Sequence, residues 1–97
     1  MKNQTLQYLR IKDAAPALGV KPSTVYLWIK NGMLPPLINL GGRTRAMPLH
    51  EINAINAARL VGKTDSDLKA LVKTLVSQRQ NIAKNMEQDC AALHAVA

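Results

Sequence analysis

All five glycines and all five prolines of this chain lie between Pro16 and Gly62, and none follows. Glycine and proline are the strongest punctuation a backbone has, because one frees φ and the other fixes it and removes a donor. The first two thirds can therefore hold only short elements. From Thr64 onward nothing prevents one continuous helix of roughly 30 residues, about 45–50 Å at 1.5 Å per residue.

The spacing of the breakers predicts the elements. Residues 1–9 are polar and frayed, with "QYLRI" readable as a short strand or a packed lead-in. Asp13 can cap a short helix from Ala14 to Leu18, with Pro16 in its first turn and Gly19 as the residue that ends it. A second helix starts near Pro22 and Ser23, with Ser23 or Lys21 close to the cap. Val25, Trp28 and Ile29 recur at i, i+3, i+4 and give it one apolar face. Asn31-Gly32 stops it, and Pro35-Pro36 forces extended chain. "LINL" (37–40) and "TRAM" (44–47) flank Gly41-Gly42 and read as a β-hairpin closed by Pro48. A third helix follows over about 49–60, with Ile52, Ile55 and Leu60 expected to face inward. Thr64-Asp65-Ser66-Asp67 is a helix start of the capping-box type. Alternate steps of 4 and 3 from Leu68 reach Val72, Leu75, Arg79, Ile82, Met86, Asp89 and Leu93, an apolar seam interrupted at Arg79 and Asp89.

Short helix, glycine turn, second helix, hairpin, third helix is the order of a winged helix-turn-helix, in which the first helix packs across the second and the second enters the DNA major groove. The fold class expected is mainly α: a winged helix-turn-helix with a small β-hairpin wing over residues 1–62, then a long C-terminal helix over 63–97. Ala15, four residues before Gly19, is small enough for close helix approach, and Val20, Val25 and Trp28 fill the space between the helices.

Charge agrees with that order. Residues 1–50 hold seven Lys/Arg and one acid, net +6, whereas residues 51–97 hold six and five, net +1. A basic half joined to a nearly neutral half suits a polyanion at one end and another task at the other. Hydrophobic residues make up 47% but aromatics only 3%, so the core must be aliphatic. One cysteine, Cys90, forms no intrachain disulfide. No segment approaches the about 20 apolar residues of a membrane span, and the N-terminus lacks a signal-peptide run, so a cytoplasmic protein is expected.

A helix N-terminus presents free N–H groups and partial positive charge, which suits phosphate. Ser23 and Thr24 place hydroxyls there, either as caps or as phosphate donors, and Lys21 adds charge. Tyr26 and Leu27 lie away from Val25 and Trp28, where Tyr26 can meet phosphate or base edges and Leu27 a thymine methyl. Lys30 lies one turn on. Arg43 and Arg45, expected at the tip of the hairpin on its Gly-supported loop, can reach a minor groove or its phosphates. The alternative roles are solubility of an exposed hairpin for the arginines and surface cover for Tyr26; Lys2, Arg10 and Lys12 read as general electrostatics.

The stretches "GVKPSTVYLWIKNGMLP" and "LGGRTRAMPLHEI" resemble the AlpA family of prophage regulators, relatives of excisionases and of the MerR-type winged helix-turn-helix, over roughly residues 8–60. The resemblance implies a phage- or island-associated DNA-binding protein that regulates transcription, drives excision, or both. It places Ser23, Thr24, Tyr26, Leu27 and Lys30 on the recognition helix and Arg43 and Arg45 on the wing. Such relatives often carry a basic residue at the position of Leu27 and an aromatic at that of Met47.

Double-stranded DNA is the partner expected, bound as a homodimer or a cooperative oligomer, with integrase or transcription machinery as further partners and no membrane. Other readings stand beside it: a phage small-terminase-like packaging protein, or a protein-interaction module acting through the C-terminal helix. That helix can dimerise through its seam, fold back on the domain core, or bind a partner. Cys90 and His94 share a helix face, but no second ligand pair accompanies them, so no metal is expected. No phosphate loop, paired carboxylates or activated nucleophile points to a cofactor or to enzymatic activity.

Overall fold

The computed structural model describes residues 6–96, with side chains through Met86. In chain order the elements are β1 (Tyr8–Arg10), α1 (Ile11–Leu18), α2 (Pro22–Lys30), β2 (Ile38–Gly41), β3 (Thr44–Pro48), α3 (Leu49–Leu60) and α4 (Asp65–Val96). The fold is a winged helix-turn-helix: mainly helical, with a small antiparallel sheet of order β1-β3-β2 and a long C-terminal helix.

The lead-in is a strand. Tyr8, Leu9 and Arg10 pair with Pro48, Met47 and Ala46, and Leu49 N–H donates to the Gln7 carbonyl at 2.8 Å. Because β1 runs straight into α1, that helix begins a turn before the expected Ala14. Arg10 stands at the N-cap without a side-chain cap bond, and Asp13 lies inside the first turn. Pro16 consequently sits in the helix interior. The carbonyl its missing N–H leaves free is that of Lys12, an exposed residue.

Gly19 has φ 75°. Its N–H donates to the Pro16 carbonyl and the Val20 N–H to Ala15, both at 3.0 Å. This is a Schellman end, for which a left-handed residue is required. Gly32, with φ 79°, ends α2 likewise, its N–H reaching Ile29 and that of Met33 reaching Trp28. The two ends turn the chain sharply enough to lay α2 across the fully buried Ala14 and Ala15 of α1.

The core is aliphatic. Ala14, Ala15, Leu18, Val25, Leu34, Met47, Ile52 and Ile55 form one buried cluster, with Trp28, Ile29 and Val20 packed against it. Met47 is fully enclosed under the sheet. Leu60, expected to face inward, is 88% exposed. It sits in the last turn of α3, where the chain leaves toward Gly62 and no element lies over it.

The same cluster includes Leu68, Val72 and Leu75 of α4. The first half of the seam is thus already used within the chain, and the buried core crosses the link at residues 61–64. Each such side chain contributes about 1.5–3 kcal/mol of burial. The start of α4 is the expected capping box: Asp67 N–H donates to Thr64 Oγ1 at 3.2 Å and Thr64 N–H to Asp67 Oδ2 at 3.3 Å.

Arg79 is no mere interruption of the seam. Its Nε donates to Glu51 Oε2 at 2.7 Å and its Nη2 to Glu51 Oε1 at 2.6 Å. Nη2 also donates to the Pro36 carbonyl at 2.9 Å. The Glu51 side chain is fully buried. One guanidinium therefore joins α4 to α3 and to the segment that enters the wing. Beyond it, Ile82 lines an apolar groove with Leu6, Tyr8, Ile38 and Pro48. The side chains of Asp89, Cys90, Leu93 and His94 lie outside the described residues, as does Lys2. At 32 residues α4 is about 48 Å long, which matches the molecule's 47 Å longest dimension.

Candidate nucleic-acid interface

The candidate site grows from the two faces of α2. Val25 is fully buried, and Trp28 and Ile29 pack on the core. Ser23, Leu27 and Lys30 recur at i, i+4, i+7 with Tyr26 beside them, and all four are exposed. Tyr26 and Leu27 remain 54% and 53% accessible, so the helix buries its apolar stripe and still presents an amphipathic one to solvent. Thr24 is half-buried at the margin.

Ser23 and Thr24 do not cap α2. The N-cap is Lys21, in extended conformation at φ −81°, ψ 156°, with no side-chain cap bond and Pro22 as the first helical residue. The Thr24 and Val25 N–H groups turn back to the Lys21 carbonyl at 2.9 and 3.2 Å. With proline first, Ser23 and Thr24 fall at the second and third helical positions, too late to cap the helix. The first turn contains no acid, so the partial positive charge of the helix end is uncompensated and Lys21 adds to it.

The wing is the β2–β3 hairpin. Ile38 pairs with Ala46 and Asn39 with Arg45; the register then slips so that Gly41 faces Thr44, a bulge at Leu40. Asn39 Oδ1 accepts from the Gly41 N–H at 2.9 Å and pins the bulge. The tip is Gly42-Arg43, with φ 56° at Gly42 and a negative φ at Arg43, the sign pattern of a type II′ turn. Only Arg43 stands at the tip; Arg45, expected there too, lies on β3 because the turn is just Gly42-Arg43, and both are exposed while Ala46 and Met47 anchor the strand below them.

Carboxylates are scarce around these cations. Asp13 is the sole acid of residues 1–50. The next, Glu51, is buried under Arg79, so its charge is neutralised inside the domain. Lys21, Lys30, Arg43 and Arg45 accordingly carry a net positive charge on the exposed surface.

Three residues that support this arrangement were given no role by the sequence. Glu51 is one. Asn56 Nδ2 donates to the Ala17 carbonyl at the end of α1 at 3.0 Å. The Arg59 guanidinium lies 3.9 Å from the centre of the Trp28 ring. The available signal was a charge set on an otherwise apolar stripe: Glu51 beside Ile52 and Ile55, and Arg79 in the seam. Among the described residues no group of three or more His, Cys, Asp or Glu side chains is placed to hold a metal ion. No helix there is long and apolar enough to cross a membrane.

Residues 8–54, from β1 into α3, match the model of a helix-turn-helix domain family. The chain is also 33% identical over 57 residues to an uncharacterized protein, ORF88, of Enterobacteria phage P4. The match covers 59% of this chain and 65% of that protein, just under two thirds of its length. No solved structure matches significantly.

Proposed function

We propose that this chain binds double-stranded DNA sequence-specifically and regulates transcription or excision of a prophage or integrated element, as an AlpA- or excisionase-like factor. The observation that carries the reading is the exposed stripe of α2. Ser23, Tyr26, Leu27 and Lys30 run along it from the first to the last turn of the second helix of a helix-turn-helix, whose N-terminal end lacks a side-chain cap and an acid. Lys21, Ser23 and Thr24 are assigned to phosphate, Tyr26 and Leu27 to base edges and a thymine methyl, and Lys30 to the backbone one turn on. Arg43 and Arg45 follow the adjacent minor groove. No cofactor or reaction belongs to this reading.

One domain of this size makes few base contacts, so useful affinity requires a homodimer or cooperative copies on adjacent sites. The chain would work in the cytoplasm, where integrase or transcription machinery is in reach. The phage relative favours an element-borne regulator. The folding-back of Leu68, Val72 and Leu75 weakens the packaging alternative, because an oligomerising helix needs that seam free.

Selection of bound duplexes from a random library at physiological salt tests the proposal. An enriched motif is expected, and its symmetry reports the number of copies on DNA. Binding without enrichment, lost steeply as salt rises, overturns specific readout in favour of packaging or an architectural role. No duplex binding by a folded chain at low salt moves the function to protein interaction.

A further inference from the structure

The last two turns of α3 touch both helices of the helix-turn-helix. Asn56 holds the Ala17 carbonyl of α1, and one turn later Arg59 covers the Trp28 ring of α2. Nε and Nη2 of Arg59 are buried and have no hydrogen-bond partner among the described residues. Two buried guanidinium nitrogens without partners are costly. Here the face of an indole supplies the attraction that hydrogen bonds do not, since the ring quadrupole draws a cation at this distance. Trp28 follows directly after the exposed Leu27, and Thr24 lies one turn before it on the same side. The ring therefore forms the flank of the stripe assigned to DNA.

We propose that Arg59 is a positioning residue for DNA recognition: by stacking on Trp28 it fixes the rotation of α2 about its own axis, and so the direction in which Tyr26, Leu27 and Lys30 project. The inference rests on the DNA-binding reading above. Arg59 acts through Trp28 and makes no contact with DNA itself. Without the stack, α2 samples rotations in which the stripe misses the groove, and apparent affinity falls by the fraction of chains out of position. A partly desolvated cation–π pair bounds that loss at roughly tenfold.

The experiment compares the full chain with Arg59→Met, Trp28→Leu, the double variant and Arg59→Lys. Binding is measured to the selected duplex over a salt series, and thermal unfolding is followed alongside. Methionine keeps the apolar stem over the ring and removes the charge. The expected result is a several-fold weaker Arg59→Met with an unchanged salt slope, partial rescue in Arg59→Lys, and no further loss when Arg59→Met is added to Trp28→Leu. A slope smaller by about 0.9 marks a phosphate contact and overturns positioning, as does an equal loss from Arg59→Met in both backgrounds. Should Arg59→Met fail to fold, Arg59→Gln, which also removes the charge, is judged by the same slope criterion. The free protein separates this inference from the DNA reading. The ring current of Trp28, the sole tryptophan, should shift the Arg59 Nε proton upfield and lose that effect in Trp28→Leu. An unshifted proton refutes the stack whether or not DNA binds; a shifted proton in a chain that binds no duplex refutes the DNA reading, and with it Arg59's role in recognition.

Discussion

Removing the Arg79 guanidinium is the sharpest test of how this molecule is held together. The Glu51 side chain has no exposed surface, and both its oxygens accept from Arg79 at 2.6 and 2.7 Å. Arg79→Ala leaves that carboxylate buried, with His50 Nε2, 4.0 Å from Oε2, the one other ion-pair partner among the described residues. Breaking a buried pair from one side costs about 3–5 kcal/mol. A chain of this length has about 5–15 kcal/mol of stability in all, so the loss is about a fifth of it or more. With an unfolding entropy of about 2 cal/mol/K per residue, the melting temperature should drop by about 15–25 °C. Circular dichroism melts and urea titrations measure this, and the urea slope shows whether α4 detaches first. The paired substitution Glu51→Leu with Arg79→Leu should recover most of the loss, because no lone charge remains. The effect of Arg79→Ala should also persist at high salt, which screens exposed pairs but hardly buried ones. A drop of only two or three degrees, or one that disappears in salt, would show that the pair is solvated and that α4 is not clamped to α3.

Other outcomes follow from single contacts. Leu68→Ala should destabilise the whole chain by about 2–5 kcal/mol in a single transition, because Leu68 belongs to the core of the helix-turn-helix; two separate transitions would refute a shared core. Thr64→Ala removes one half of the capping box and should cost about 1 kcal/mol in the same melts. Arg43→Ala should leave stability within about 0.5 kcal/mol, weaken DNA binding and lower the log–log salt slope by about 0.9; an unchanged slope would remove Arg43 from the interface.

Local chemistry was legible in the sequence. The left-handed residues at Gly19 and Gly32, the hairpin around Gly41-Gly42, the capping box at Thr64 and the division of α2 into a buried and an exposed stripe all follow from interactions within a few residues. Periodicity and turn chemistry operate at that range. The errors also arose locally. Asp13 was an acceptable cap in isolation, but pairing of β1 with β3 started α1 a turn sooner. Leu60 continued an apolar period, but nothing in the fold stands over it.

The candidate site divides in the same way. The positions of Ser23, Tyr26, Leu27 and Lys30 on exposed surface were readable from helical period, and those of Arg43 and Arg45 from the hairpin around Gly41-Gly42. Their support was not, because Glu51 and Arg79 lie 28 residues apart and Arg79 and the Pro36 carbonyl 43.

The sequence by itself determined where the helices stop and where the wing turns, since glycine and proline act on their own few peptide units. It determined also that the positive charge gathers in the first half. Only the tertiary structure decided what α4 does. Its seam reads equally well as a dimer contact and as a core face, because apolar periodicity records that a stripe needs cover and not what covers it. The covering surface is made by residues distant in sequence, and Arg79 meeting Glu51 across that distance selects the domain's own core as the cover for its first half.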